Sequence, residues 1–296
     1  MQQSESLVIS DSKTLSVRSS AQGRGQEVAL FVDCWPGGSK EGDVLLIVHG
    51  LGEHGGRYRH LPKLLGEEFS RFYSMDQRGH GRSGGLRGYS PHFEQLAQDL
   101  KRVASEVQAK EEGKRLFLLA HSFGGLVALS LLLKEKKLPF AGAILSAPLL
   151  QVKMRVPRWK ILLGEVLGRT LSRIQLSNEV NPSHLSHDPV VVAEYVNDRL
   201  VHQKITPRLY VDMTAAMQWI RSQTSGLSCP VLFLLPGKDL VVDSKATLEF
   251  FRNLKYRDKE LREYPGMYHE VLNEVDKEQV AKDIRQWLKK TRTLKA

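Results

Sequence analysis

The chain has 296 residues, with 43 Lys or Arg against 33 Asp or Glu, which gives a formal net charge of +10. The basic residues are scattered and no basic patch is interleaved with aromatic residues, so we expect no nucleic-acid partner. No run of 18 apolar residues occurs, and residues 1–6 lack a basic segment and an apolar core, so we predict no membrane span, no signal peptide and a cytoplasmic protein.

The first predicted elements are an antiparallel hairpin within residues 5–35 and a buried strand over Asp43–Val48. The strand ends in the segment His49–His54, whose glycines allow another main chain to approach closely. Cys34 and Cys229 lie in or beside predicted strands. Two cysteines do not indicate a disulfide framework, and we predict that both are buried thiols.

An amphipathic helix is predicted over Pro91–Lys110, because its apolar residues share one face. A buried strand then begins at Leu116 and breaks at Ser122, after which helical spacing resumes. A serine on such a sharp strand-to-helix turn is pushed out of the sheet. Only small residues fit on either side of the turn, and Ala120 and Gly124 satisfy that requirement. The alternative interpretation is a serine that merely caps the helix.

Helical periodicity replaces the alternation of strands and helices over residues 149–215, between the predicted strands Ala141–Ser146 and Val231–Leu235. The interruption predicts a core domain made of residues 1–148 and 216–296, with a mostly helical cap inserted into it. We expect the cap to exclude water and to form an apolar wall. The candidates for that wall are Leu149, Leu150, Trp159 and Leu163.

The first part of the cap, residues 150–175, is both amphipathic and basic. It contains one acid, Glu165, and its basic residues are Lys153, Arg155, Arg158, Lys160, Arg169 and Arg173. One interpretation is a helix whose apolar face, including Leu171 and Ile174, packs on the core domain. The other is a helix that also lies in a lipid interface, as cationic amphipathic helices do, so that the protein is peripheral at a membrane. Both interpretations hold together if the cap moves.

Two polar residues follow later strands. Asp239 lies just past the strand Val231–Leu235, and a helix over Ser244–Leu254 and a short strand over Glu260–Tyr264 come next. His269 follows that strand. The carboxyl ends of parallel strands meet at one sheet edge, where ligands bind, so we expect both side chains at that edge. A last amphipathic helix begins at Lys277, and the alternation predicts a mostly parallel sheet with helices on both faces.

A nucleophilic serine requires a base that takes its proton and an acid that orients the base. We predict that Ser122 is the nucleophile, His269 the base and Asp239 the orienting acid. Asp243 is the alternative acid, although its place at the start of a helix favours a capping role. The other nine histidines are expected to be structural or exposed.

A tetrahedral intermediate requires two preorganised N–H donors at its oxyanion. We predict the N–H of Phe123, which follows the serine, and a second donor from the early glycine-containing loop. Leu51 is the candidate there. This chemistry requires no cofactor and no metal ion, and we predict neither.

Several segments carry a family resemblance, namely His49–Tyr58, Asp76–Ser83, Ser146–Pro148, Tyr195–His202 and Tyr268–Glu274. The first reads HGLGEHGGRY and resembles the HGxGEHxxRY segment of the monoacylglycerol lipase and lysophospholipase branch of the α/β-hydrolase superfamily. The second, DQRGHGRS, resembles the D-x-RGHGxS turn of the same branch. The chain departs from the family pattern at Ala120, where glycine is usual, and at Arg199, where proline is usual.

The resemblance implies an α/β-hydrolase fold with a helical cap, an ester hydrolase activity and a pocket for an alcohol of the size of glycerol. We therefore expect a serine ester hydrolase that cleaves monoacylglycerols to fatty acid and glycerol through an acyl-enzyme. The alternatives are a lysophospholipase, a general carboxylesterase or a non-catalytic ligand-binding protein, and the presence of all three catalytic residue types disfavours the last. Haloalkane dehalogenases and epoxide hydrolases have a carboxylate nucleophile where this chain has Ser122.

The alcohol half of the substrate is predicted to contact Glu53, Arg57 and Tyr195. Glu53 lies two residues beyond Leu51, and a carboxylate accepts hydrogen bonds from vicinal hydroxyls. Arg57 lies one helical turn further and could hold Glu53 in place. The alternative is that Glu53 and Arg57 form a purely structural ion pair. Tyr195 is implied by the resemblance alone.

Overall fold

The structure is a computed structural model that describes residues 15–19, 27–153 and 171–293. Several residues of the predicted cap, Trp159 and Leu163 among them, lie outside the described residues, as do Arg155, Arg158, Lys160 and Arg169. Eight strands form the main sheet: β1 Leu15–Ser19, β2 Val28–Pro36, β3 Asp43–Val48, β4 Phe69–Met75, β5 Leu116–His121, β6 Phe140–Ser146, β9 Val231–Pro236 and β10 Lys259–Tyr264. Two short strands, β7 Leu176–Ser177 and β8 Lys204–Ile205, form a separate antiparallel pair.

The main sheet has the strand order β1-β2-β4-β3-β5-β6-β9-β10. Strand β2 is antiparallel to both of its neighbours, and all pairs from β4 to β10 are parallel. The carboxyl ends of β3, β5, β9 and β10 therefore lie at one edge of the sheet. The β1–β2 pair is the antiparallel hairpin predicted for the start of the chain.

The described α-helices are α1 Leu61–Leu65, α2 Phe93–Lys110, α3 Phe123–Lys134, α4 Pro189–Asn197, α5 Pro207–Ser222, α6 Ser244–Asn253 and α7 Lys277–Thr293. Alternate residues of a strand point to opposite faces, and β3 shows the consequence. Its Val44 and Leu46 pack in a core with residues of α2, α3 and α5, whereas Leu45 and Ile47 pack in a second core with residues of α1 and α7. The sheet is thus covered on both faces.

The predicted elements of the core domain are confirmed with small changes at their ends. Strand β9 continues to Pro236, α2 begins at Phe93 rather than Pro91, and α6 ends at Asn253. His92 has extended backbone angles, which delays the start of α2 by two residues. Cys34 and Cys229 are both buried, as expected. Within the described ranges, no helix is long and apolar enough to cross a bilayer.

Residues 149–153 and 171–215, the described part of the predicted cap, add no strand to the main sheet. They contain α4, the β7–β8 pair and the beginning of α5, which continues past the predicted border at residue 215. The helix predicted through Leu171 and Ile174 is wrong at this point. Residues 171–174 instead form a turn, closed by a hydrogen bond from the Ile174 N–H to the Leu171 carbonyl. The domain borders stay a prediction.

Candidate active site

The turn between β5 and α3 places Ser122, which is buried, in the wall of a cavity. Ser122 has φ of +52°, in the left-handed region that non-glycine residues rarely adopt. The turn brings α3 so close to β3 that a Cβ at Gly124 would lie 2.4 Å from the His49 carbonyl oxygen. Glycine is therefore required at position 124. Ala120 lies within the sheet, paired with Val48 and Leu145, where its methyl group is fully buried.

The structure brings Ser122, His269 and Asp239 into one hydrogen-bonded chain. The His269 Nε2 atom lies 2.9 Å from Ser122 Oγ, and its Nδ1 atom lies 2.8 Å from Asp239 Oδ2. A carboxylate only accepts hydrogen bonds, so Nδ1 carries the proton and Nε2 is the acceptor that faces the serine hydroxyl. His269 and Asp239 are both buried. This geometry suits proton transfer from the serine to the imidazole.

The second oxygen of Asp239 is held by the main chain. Its Oδ1 accepts hydrogen bonds from the N–H groups of Val241 and Val242, each at 2.8 Å. Burial raises the pKa of Asp239, but the His269 ring and these two N–H groups outweigh it, and the pKa lies below its usual value. Burial lowers the pKa of His269, but the charge of Asp239 more than compensates. The pKa of His269 therefore lies above its usual value.

The rival acid, Asp243, has another role. Its carboxylate accepts a hydrogen bond from the Lys245 N–H and caps the N-terminus of α6, and its other oxygen contacts the Gln151 side chain. A capping role is what its position at the start of a helix suggested.

A cavity of about 470 Å³ opens over Ser122 and His269. The apolar part of its wall comes from both sides of the cap border and includes Leu149, Val152, Ile205, Pro207, Met213 and Val241. Leu150, which we expected in this wall, is fully buried in the core instead. The wall also includes three carboxylates, those of Glu53, Glu179 and Glu270. Among the residues that the structure describes, no Lys or Arg lines the cavity.

The two predicted oxyanion donors flank the serine turn. Leu51 lines the cavity, and Phe123 is the first residue of α3. Among the hydrogen bonds of the described residues, neither N–H donates to a protein acceptor. The peptide between Gly50 and Leu51 is oriented by His49, whose Nε2 accepts the Gln77 N–H at 2.9 Å, so that its Nδ1–H donates to the Gly50 carbonyl at 2.7 Å. The Leu51 N–H consequently points away from His49.

Glu53 and Arg57 form an ion pair, and a third residue completes it. Arg57 Nη1 lies 2.6 Å from Glu53 Oε2, and both terminal nitrogens of the guanidinium donate to Glu270 at 2.7 and 2.8 Å. Glu53 Oε1 also accepts the Gly50 N–H and the Tyr58 hydroxyl. Burial raises the pKa of Glu53, but the Arg57 charge dominates the remaining effects, and the pKa is lowered to about 2. Two carboxylates thus share one guanidinium, a net charge of −1.

Three residues of the site were not identified from the sequence. Glu270 follows His269 directly, but nothing local indicates that it meets Arg57, 213 positions away. His121 packs against His269 with ring centroids 4.7 Å apart, and burial together with the His269 charge lowers its pKa to about 4. His49 was expected to be structural or exposed, and it orients the peptide that carries the Leu51 N–H. Tyr195, predicted from the resemblance, lies in the cavity wall with its ring 4.8 Å from the Arg57 guanidinium carbon.

A known protein family matches this chain over most of its length. The family model described as Hydrolase_4, serine aminopeptidase, S33, matches residues 39–276, which is most of the chain. The chain belongs to this family. The match spans the serine turn, Asp239 and His269, and the eight-stranded sheet is that of the α/β-hydrolase fold, as predicted.

Individual relatives indicate to which branch of the α/β-hydrolase superfamily the chain belongs. An uncharacterized abhydrolase domain-containing protein of Dictyostelium discoideum is 34% identical over 96% of this chain, which spans only 28% of that protein's length. The monoacylglycerol lipase of Mycolicibacterium smegmatis is 27% identical over 88% of this chain and 93% of its own length. The crystal structure of the Paleococcus ferrophilus monoacylglycerol lipase superimposes with a TM-score of 0.79 at 30% identity, covering 88% of this chain and 99% of that one. The chain is thus a member of the serine hydrolases of the monoacylglycerol lipase and lysophospholipase branch.

Proposed function

We propose that the protein hydrolyses monoacylglycerols to a fatty acid and glycerol through an acyl-enzyme. The observation that carries the proposal is the hydrogen-bonded chain from Asp239 through His269 to Ser122, which opens into a largely apolar cavity. A non-catalytic binding protein does not require these three hydrogen-bonded side chains. The relatives named as monoacylglycerol lipases support the same reaction.

In this mechanism, Ser122 Oγ attacks the ester carbonyl carbon while His269 Nε2 takes the hydroxyl proton. The negative charge on the carbonyl oxygen is stabilised by the N–H groups of Leu51 and Phe123. His269 then gives its proton to the departing glycerol oxygen, and the acyl group remains on Ser122. Water enters, loses a proton to His269 and releases the fatty acid by the same steps. Asp239 stabilises the His269 imidazolium during both acylation and deacylation.

The charges of the cavity favour a neutral headgroup over a phosphate. The Glu53–Arg57–Glu270 cluster, both of whose carboxylates line the cavity, has a net charge of −1, and among the described residues no Lys or Arg lines the cavity. Two like charges about 5 Å apart repel by about 3 kcal/mol at an effective dielectric constant of about 20. This repulsion disfavours a lysophospholipid whose phosphate lies beside the ester.

A substrate panel tests the proposed function. We expect 1-monododecanoylglycerol to be hydrolysed with a higher kcat/KM than lauroyl lysophosphatidate, by a factor of about 10² given a repulsion of about 3 kcal/mol. Fatty-acid release is measured for both lipids, with p-nitrophenyl dodecanoate as a reference ester. Equal rates on the two lipids would contradict the preference for a neutral headgroup, and no hydrolysis of any ester would contradict the proposed function.

We further propose that Glu53 and Tyr195 recognise the glycerol hydroxyls and that Arg57, which does not line the cavity, holds Glu53 in place. Glu53 and Tyr195 both line the cavity, and the Arg57 guanidinium lies over the Tyr195 ring. Glu53 also supports the loop at Gly50, so a substitution must separate the two roles. Glutamine can keep its one oxygen toward Gly50 and Tyr58 while it removes the charge; its NH₂ group then faces Arg57, which keeps its two hydrogen bonds to Glu270.

The variant Glu53→Gln is therefore expected to lose activity selectively on the monoacylglycerol. A hydrogen bond to a charged group contributes about 1.5–3 kcal/mol, so we expect roughly a 10- to 100-fold loss in kcat/KM on that substrate. On a p-nitrophenyl ester of equal chain length, which has no hydroxyls to bind, the loss should be small. A loss of the same size on both esters would mean that Glu53 only supports the loop.

Residues 149–215 are proposed to act as the cap over this cavity and to contact the lipid surface that supplies the substrate. Leu171, Ile174 and Leu176 are 50%, 42% and 48% exposed, and Leu176 also belongs to the cavity wall. Exposed apolar side chains beside a basic residue such as Arg173 suit the interface of a bilayer. Co-sedimentation with phosphatidylcholine vesicles measures this contact, and a protein that stays entirely in the supernatant would exclude it.

A further inference from the structure

Residues 198–202, which we name the latch segment, follow α4 and contact the loop of residues 50–54, which we name the glycine loop. The glycine loop contains Leu51, the proposed oxyanion donor. Two hydrogen bonds join the two segments directly, one from a side chain and one from the main chain. A third joins the latch segment to the neighbouring turn, where the His202 Nε2–H donates to the Gly79 carbonyl at 3.0 Å.

The side-chain contact is a hydrogen bond between His54 and Asp198. His54 Nδ1 accepts the Gly56 N–H at 3.1 Å, so the proton is on Nε2, which donates to Asp198 Oδ2 at 2.7 Å. The other oxygen of Asp198 accepts the Leu200 N–H at 2.8 Å. Both oxygens of Asp198 are therefore in use. Burial raises the pKa of Asp198, but these two hydrogen bonds outweigh it and the pKa is lowered.

The main-chain contact lies directly beside Leu51. The His202 N–H donates to the Gly52 carbonyl at 2.8 Å, and Gly52 has φ of +80°. A Cβ at position 52 would lie 2.4 Å from the His202 carbonyl oxygen, so the two backbones are in close contact. From the other side, Glu53 holds the Gly50 N–H. The Leu51 N–H, whose peptide is oriented by the His49 bond to the Gly50 carbonyl, thus lies between the Gly50 N–H held by Glu53 and the Gly52 carbonyl held by the latch segment.

We propose that Asp198 is a positioning residue for the reaction. Through His54 it keeps the latch segment seated, and the seated segment keeps the Gly52 carbonyl and the preceding Leu51 N–H in the orientation that an oxyanion requires. The inference rests on the proposed esterase function. It predicts that the oxyanion site is complete only when the latch segment is in place, so that the cap and the catalytic step are coupled.

The test is the variant Asp198→Asn, because an amide has one acceptor oxygen and must give up either His54 or the Leu200 N–H. Loss of one whole oxyanion donor costs on the order of 10²–10³ in kcat. For a donor that is present but misaligned, we expect kcat on p-nitrophenyl octanoate to fall about tenfold with KM within about twofold. The rate of labelling by a fluorophosphonate should fall by the same factor. The matched control is Asp188→Asn, since Asp188 caps α4 and asparagine caps equally well.

A double variant distinguishes an effect that Asp198 transmits through His54 from a general loss of structure. If Asp198 acts through His54, adding His54→Gln to Asp198→Asn should lower kcat little further. Independent losses that multiply would overturn the proposal, as would a wild-type kcat in Asp198→Asn or a loss confined to KM. Melting temperatures of Asp198→Asn and Asp188→Asn should agree within a few degrees, and a kcat loss matched by a loss of folded protein would also count against it.

Hydrogen exchange distinguishes failure of the inference from failure of the proposed function. In Asp198→Asn, peptides that contain the His202 amide should exchange faster than in wild type, and in Asp188→Asn they should not. If the wild type hydrolyses no ester, the proposed function fails and the catalytic role of Asp198 fails with it, whereas the exchange result still reports whether the latch exists. If the wild type is active and exchange at His202 is unchanged, the latch alone is wrong.

Discussion

Replacing Ser122 with alanine is expected to lower kcat on a p-nitrophenyl ester by on the order of 10⁴ or more while leaving the fold intact. The reason is that, within the described part of the chain, Ser122 Oγ is the only atom that is hydrogen-bonded to His269 Nε2. The backbone contacts of residue 122, its N–H to the Ser146 carbonyl and its carbonyl to the Leu126 and Leu149 N–H groups, do not involve the side chain. Thermal unfolding should therefore be nearly unchanged.

Labelling by a fluorophosphonate, followed on a gel, is the direct measurement for this variant and should disappear. Ser177→Ala is the matched control, because Ser177 also lines the cavity but contacts Glu179 rather than His269. The control should label and turn over like the wild type. A Ser122→Ala protein that still labels, or that retains a tenth of the activity, would show that another residue is the nucleophile.

Replacing Asp239 with asparagine is expected to lower kcat by about 10⁴-fold, the size of the effect when the orienting acid of a serine triad is neutralised. Here the structure dictates which way the amide faces. The N–H groups of Val241 and Val242 hold the oxygen that they now contact, so the asparagine must present its NH₂ group to His269 Nδ1. That ring nitrogen then accepts, Nε2 carries the proton, and Ser122 faces a donor where it requires a base.

The control for Asp239 is Asp243→Asn, which should change kcat by less than about twofold because asparagine and aspartate are comparable helix caps. A larger loss in Asp243→Asn than in Asp239→Asn would transfer the orienting role to Asp243. The pH profile is a second measurement. Asp239 raises the pKa of His269, and the base is active only when neutral, so the acidic limb of kcat/KM in wild type should lie above the usual histidine pKa of 6.5. Without Asp239 the limb should move to lower pH.

Much of this molecule could be predicted locally, because hydrophobic periodicity and turn chemistry depend on neighbouring residues. The strands β3, β5 and β9 are continuous apolar runs, and their predicted bounds agree with the structure to within one or two residues. The cap was harder to predict. Helical spacing of Leu171 and Ile174 suggested a helix, but the chain turns there, and α5 crosses the border predicted at residue 215.

Local sequence patterns predict the order of Ser122, Asp239 and His269, the strand ends that carry them, and the glycine loop. Only the packing of the folded chain brings His269 to Ser122 and pairs Arg57 with Glu270 as well as with Glu53. It also brings Asp198 to His54, 144 positions away. Such pairs depend on how loops from distant strands pack at one sheet edge, which no local pattern specifies. For the same reason a chain of net charge +10 has a cavity whose charged wall residues, in the described part of the chain, are all acidic.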